Sequence, residues 1–233
     1  MAPTPAAEPE HGAAVALESI ATAVTACRIC PRLVAWRETV ATRSGHPERY
    51  WARPLPGFGD SHARLLIVGL APAAEGGNRT GRVFTGDRSG DFLYAALYRA
   101  GYANQPESTS VDDGLVLRDA FVTAAVRCAP PENKPTPVER DACAPYLAAE
   151  FAALGSVTVV LALGAFGFDA ALRLVPAHAG PKPKFAHGCE VPLADGRTLI
   201  GVYHPSQRNV FTGRLTAAMF DVVLERAKAI SQA

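Results

Sequence analysis

A chain of 233 residues, 48% of them hydrophobic, is long enough to bury one sizeable core, and one domain with an extended N-terminal arm is expected at this length. A formal net charge of +1 excludes a general polycation, so any grip on nucleic acid must come from a local basic face. No apolar run reaches the roughly 20 residues a membrane helix needs, and no N-terminal stretch has the basic start and apolar core of a signal peptide.

Met1 to Gly12 is rich in Ala, Pro and Glu, and a disordered tail is expected over residues 1–16, with a single domain over 17–233. Ala13 to Thr42 reads as two helices broken around Cys27 and Cys30. The Pro/Gly-rich stretch Tyr50 to His62 reads as loop. Four continuous apolar runs read as buried strands: Arg64 to Leu70, Asp119 to Val126, Val157 to Leu163 and Thr198 to Tyr203. Helical patterns fall between and after them, at Asp91 to Ala100, Pro137 to Leu154, Gly164 to Leu174 and Leu215 to Ile230. This alternation predicts an α/β fold of three layers, α/β/α, around a central, mainly parallel four-stranded sheet.

In such sheets a ligand sits beyond the carboxyl ends of the strands. Three of the loops at those ends carry chemistry. The first, Gly69 to Asp87, holds five glycines and the arginines Arg79 and Arg82. Its glycines allow close backbone approach to a ligand, yet it has neither Gly-Lys-Ser/Thr nor Gly-x-Gly-x-x-Gly spacing, which argues against a nucleotide-phosphate loop. Phe84 is either core or a stacking platform for a planar ligand. The second loop is Arg127-Cys-Ala-Pro-Pro-Glu-Asn-Lys134. The third, His204-Pro-Ser-Gln-Arg-Asn209, places a histidine directly at a strand end; Ser206 lacks the Gly-x-Ser-x-Gly context of a hydrolase nucleophile.

Cys27-x-x-Cys30, Cys128 and Cys143 form a metal-ligand pattern that ties the N-terminal segment to the middle of the chain, with 97 residues between Cys30 and Cys128. Spacing alone leaves zinc and an iron–sulfur cluster both open. Cys189, the fifth, reads as a small hydrophobe. Clustered cysteines without a secretion signal suit a reducing cytosol.

Together, Cys-x-x-Cys, the Gly69-Leu-Ala-Pro-Ala73 loop, a third cysteine followed closely by Pro-Pro, a fourth a short helix later, and the closing His-Pro-Ser resemble the iron–sulfur branch of the uracil-DNA glycosylase superfamily. Tyr50 to Asp60 and the run through Phe84-Thr-Gly-Asp87 look like its fifth family, type B. The resemblance spans about Cys27 to Leu224. It implies a structural 4Fe–4S cluster on Cys27, Cys30, Cys128 and Cys143. It implies hydrolysis of the N-glycosidic bond of uracil, and of other deaminated bases such as hypoxanthine, in double-stranded DNA, leaving an abasic site. Double-stranded DNA is the implied partner; no membrane partner and a monomer are expected. Leu70 and Ala71 stand where superfamily relatives usually carry a carboxylate or amide, and Ala124 and Ala125 stand where an amide would read the base, so relaxed base selectivity is expected.

On this basis His204 stabilises the departing base, Asn78 orients water (with Asp87 and then Glu75 as alternatives), Phe84 stacks on the base, and the backbone around Ala71 binds its carbonyl. Arg79, Arg82, Ser206, Arg208 and Asn209, with Lys134, are the expected DNA contacts, and Arg208 or Gln207 the side chain inserted into the base stack. Two other readings stay open: a catalytically decayed iron–sulfur or zinc DNA-binding module, and a thiol redox enzyme using Cys27 and Cys30.

Overall fold

A computed structural model describes residues 8–175 and 181–232. In chain order the elements are α1 (Glu8–Ala26), α2 (Pro31–Arg43), β1 (Phe58–Gly59), β2 (Leu65–Gly69), α3 (Gly77–Thr80), α4 (Arg88–Arg99), β3 (Ala120–Ala124), α5 (Pro137–Ala153), β4 (Val159–Leu163), α6 (Gly164–Ala171), β5 (Glu190–Pro192), β6 (Thr198–Val202), α7 (Gln207–Phe211) and α8 (Ala217–Ser231). The four apolar runs are strands because their aliphatic residues are sealed on both faces: every residue of β2, β3 and β4 is buried. Helix starts follow local chemistry. Asp87 caps α4 by accepting from the Ser89 and Gly90 amides, and Thr136 with Glu139 forms a capping box at α5, where Pro137 stands at the first position.

The sheet order is β1-β3-β2-β4-β6-β5. Its four central strands are the four expected ones, all parallel, with Gly69 opposite Ala124 and Leu163 opposite Val202. Side-chain alternation divides the core into two layers. Leu65, Ile67, Val122, Leu161 and Ile200 face the cluster that includes residues of α4 and α8. Leu66, Val68, Phe121, Val160 and Leu199 face the one that includes residues of α5 and α6. The three-layer α/β/α reading therefore holds, with six strands rather than four. β1 lies inside the segment read as loop, and β5 was not foreseen. Both are short antiparallel edges created by pairing with β3 and β6, and they carry too few residues for any periodic signal.

The expected tail divides. Residues 1–7 lie outside the described residues, whereas α1 begins at Glu8, inside the stretch assigned to the tail. Alanines at 13, 14 and 16 favour helix once the segment beyond them packs. α1 and α2 meet at 81°, and no single described helix is long and apolar enough to cross a membrane.

Chain order turns back between β2 and β4: β3 lies on one side of β2 and the later strands on the other. That is the switch point at which open α/β sheets form a crevice beyond their carboxyl ends.

Candidate active site

The crevice is present as a cleft of about 640 Å³. Leu70 to Ala73 follow β2 on one wall, Ala124 ends β3, and His204 follows β6; Phe84, Asp87 and Arg208 complete the part that matters chemically. The three loops singled out in the sequence therefore meet in one place.

The imidazole of His204 lies 6.0 Å from the Phe84 ring, tilted by 34°. Burial among the cleft walls drives its pKa down to about 4, so the ring is neutral at pH 7. The turn behind it is built from its own polar residues. Ser206 caps α7 by accepting from the Asn209 amide, and Asn209 Nδ2 donates to the His204 carbonyl at 2.9 Å. Both residues shape the histidine's loop, and Ser206 also lines the cleft.

Phe84 is partly buried and has a left-handed backbone, with φ of 52°. Its ring lies against Gly69, where a Cβ would come within 2.6 Å of it, and its carbonyl lies against Gly90, where a Cβ would come within 1.8 Å. Only glycine fits at either place.

The other expected site residues divide. Arg208 is exposed on the cleft rim. Arg79 is partly buried and donates to the Glu75 and Gly86 carbonyls. Lys134 is exposed and paired with Glu132 at 3.0 Å. Arg82 corrects the expectation of a DNA contact: it is 4% exposed and ion-paired with Asp113 at 2.5 Å. Its Nε and Nη2 are taken by Thr85, Ser108 and Asp113, inside the fold. Asn78 is fully buried behind Ala73 and does not line the cleft. Its Nδ2 donates to the Arg37 carbonyl, while Oδ1 has no protein partner. Asp87 does line the cleft; burial raises its pKa, and Oδ1 is engaged by the amides of α4.

Arg88 and Asn133 join the cleft rim without having been expected there. Arg88 is the first residue of α4 and its guanidinium lies 5.3 Å from the exposed Phe211 ring. An arginine opening a helix has no distinguishing sequence signal.

The four cysteines also converge. Cys30 caps α2, and Arg32 two residues on reaches Glu139 of α5 through bonds of 2.8 and 2.7 Å, which draws α2 toward the helix carrying Cys143. Cys128 and Cys143 are buried with Leu33 and Val126, and Cys30 packs against them. Burial raises the pKa of all three thiols, that of Cys128 to about 11, and Cys27 and Cys143 reinforce the rise at Cys30 and Cys128. Cys189 packs elsewhere, against the second core layer.

Arg37, which sequence reading passed over, is 2% exposed and donates to Cys128 Sγ at 3.0 Å. Among the described residues no carboxylate pairs with it, and its Nε has no partner. A buried cation without a counter-charge is costly, and the Cys128 sulfur would supply one if it were deprotonated. Among the described residues, no three His, Cys, Asp or Glu side chains sit close enough to hold a single metal ion.

A family model for the uracil DNA glycosylase superfamily matches residues 56–228. The chain belongs to that superfamily. It is 53% identical over 212 residues to a type-5 uracil-DNA glycosylase of Mycobacterium tuberculosis, covering 89% of this chain and 79% of that one. It is 50% identical over 224 residues to the type-5 enzyme of Mycobacterium leprae, covering 94% and 98%. A type-5 enzyme of Thermus thermophilus is 52% identical over 216 residues, covering 92% and 98%. The superfamily match includes the whole cleft, Cys128 and Cys143, whereas Cys27 and Cys30 lie ahead of it.

Proposed function

We propose that the protein excises uracil, and also hypoxanthine, from double-stranded DNA by hydrolysing the N-glycosidic bond, leaving an abasic site. The observation that carries this reading is the lining of the cleft: a desolvated neutral histidine and an aromatic ring face walls made small and apolar by Ala71, Ala73 and Ala124. Reaching the scissile bond requires the nucleotide to leave the stack. The extruded base then stacks on the Phe84 ring with the His204 imidazole at its edge. As the bond breaks, negative charge gathers on the base, and a hydrogen bond from His204 strengthens with it. Donors aimed at developing anions contribute about 3–4 kcal/mol. Alanine walls make no pattern of hydrogen bonds that one base alone could satisfy, which supports a broad substrate range.

Water is assigned to Asp87, which lines the cleft and commits only Oδ1 to the α4 cap. Asn78, the residue favoured from the sequence, lies behind the cleft wall, where a water on its Oδ1 would not face the base. Arg208 and Arg88 on the rim suit phosphate contact.

The cysteine pocket suits a 4Fe–4S cluster on Cys27, Cys30, Cys128 and Cys143. The group would be structural, tying α2, the loop after β3 and α5 together beneath the cleft. Arg37 supports this, because its uncompensated charge fits a set of thiolates.

The test is incubation of the purified protein with duplexes carrying uracil or hypoxanthine, followed by alkali. Strand cleavage at both is expected. Cleavage at uracil alone removes the broad range, and cleavage at neither favours a DNA-binding module without activity.

A further inference from the structure

Phe84 is held by a network whose polar side chains do not line the cleft. Its neighbour Val83 accepts from Tyr94 Oη at 2.9 Å. On the other side, the Thr85 carbonyl accepts from Thr80 Oγ1 at 3.0 Å, and Thr85 Oγ1 accepts from Arg82 Nε at 3.0 Å and contacts Ser108 Oγ at 2.7 Å. Arg82 Nη2 donates to Ser108 Oγ at 2.8 Å and to Asp113 Oδ2 at 2.5 Å. Asp113 also accepts from the backbone amides of Thr109 and Leu115, at 2.7 and 3.0 Å. Thr85, Ser108 and Arg82 are buried, the Asp113 side chain is 8% exposed, and none of the four lines the cleft. A bulky residue in the left-handed region persists only where its surroundings over-determine it. Here the surroundings are a loop that lies about 30 residues downstream in sequence.

We propose that Asp113, acting through Arg82 and Thr85, is a positioning residue that fixes the Phe84 ring at the angle from which it stacks on an extruded base. The carboxylate anchors the guanidinium, the guanidinium orients the Thr85 hydroxyl, and the clamped residues on either side hold Phe84 in its left-handed conformation. Without that anchor, residue 84 relaxes toward a right-handed or extended backbone and the ring swings off Gly69. This inference rests on the reading of Phe84 as the stacking platform.

The experiment is a double-mutant cycle on single-turnover excision from a uracil duplex, with Phe84→Ala, Asp113→Ala and the double variant. Residues in one network couple strongly, so Asp113→Ala is expected to slow excision roughly tenfold while slowing the double variant less than about twofold beyond Phe84→Ala. Thr85→Val, which removes only the hydroxyl link, should reproduce the loss in a folded protein if Asp113→Ala does not fold. Multiplying rate losses in the double variant, or an unaltered rate in both Asp113→Ala and Thr85→Val, overturns the positioning role. An unaltered rate in Phe84→Ala overturns the stacking reading instead, and that outcome is told apart because it appears in the single variant.

Discussion

Glu150→Ala should be the most damaging single change to stability outside the hydrophobic layers. Both oxygens of Glu150 are fully used: Oε1 accepts from Arg127 Nη1 at 2.8 Å and the Gly57 amide at 3.0 Å, and Oε2 accepts from Arg127 Nη2 at 2.7 Å and Thr123 Oγ1 at 2.7 Å. The side chains of Arg127 and Glu150 are 1% and 2% exposed. Truncation leaves a guanidinium without solvent or counter-ion, a situation that costs about 3–5 kcal/mol. In a chain of this size each kcal/mol moves Tm by roughly 2–4 °C, so a fall of about 6–20 °C is expected. Differential scanning calorimetry and urea titration measure it. The double variant Arg127→Met/Glu150→Leu should recover about half of the loss or more, because the lone buried charge is what costs most. A Glu150→Ala loss below about 1 kcal/mol, or a double variant no better than the single, refutes the reasoning. The consequence reaches beyond stability. Arg127 precedes Cys128, and its amide hydrogen-bonds Cys143, so the pair also braces the cysteine pocket.

The remaining predictions concern the site. Because burial depresses the His204 pKa to about 4, kcat/KM should show no His204 inflection near pH 6.5; one that disappears in His204→Ala would contradict the desolvated ring. The same depression bears on stability with a definite sign. The unfolded state binds the proton more readily between about pH 6.5 and 4, so this contribution is intact above pH 6.5 and is lost as pH falls through that window; acid titration of Tm in wild type against His204→Gln measures it. His204→Ala should lower kcat by about 100-fold or more with duplex affinity unchanged in a gel-shift assay, and a matching loss of affinity would assign the residue to binding. Arg37→Gln should weaken retention of the proposed cluster by about 10- to 100-fold, read as bound iron and absorbance after challenge with a chelator, and unaltered retention would remove Arg37 from that role. Gly90→Ala should displace Phe84, since a Cβ there meets the Phe84 carbonyl at 1.8 Å; wild-type stability and excision rate together would refute that packing.

The sequence alone determined the frame. Continuous apolar runs at 64–70, 119–126, 157–163 and 198–203 read as strands covered on both faces, and their alternation with amphipathic segments set the three layers. It also pointed to His204, Phe84 and Ala71, which folding brings to one cleft, and to the cysteines, of which Cys30, Cys128 and Cys143 pack together. What it did not determine was the destination of each polar side chain. Arg82 looked like a surface cation in a glycine-rich loop, yet Asp113 lies far enough along the chain that no pattern joins them, and folding buries both. Arg37 sits in an ordinary helical segment and gains meaning only when α2 swings against Cys128. Asn78 and Asp87 were equally polar in sequence and end on opposite sides of the cleft wall. Burial and partnership are properties of three-dimensional neighbours, and a charge is spent or free according to what long-range packing sets beside it.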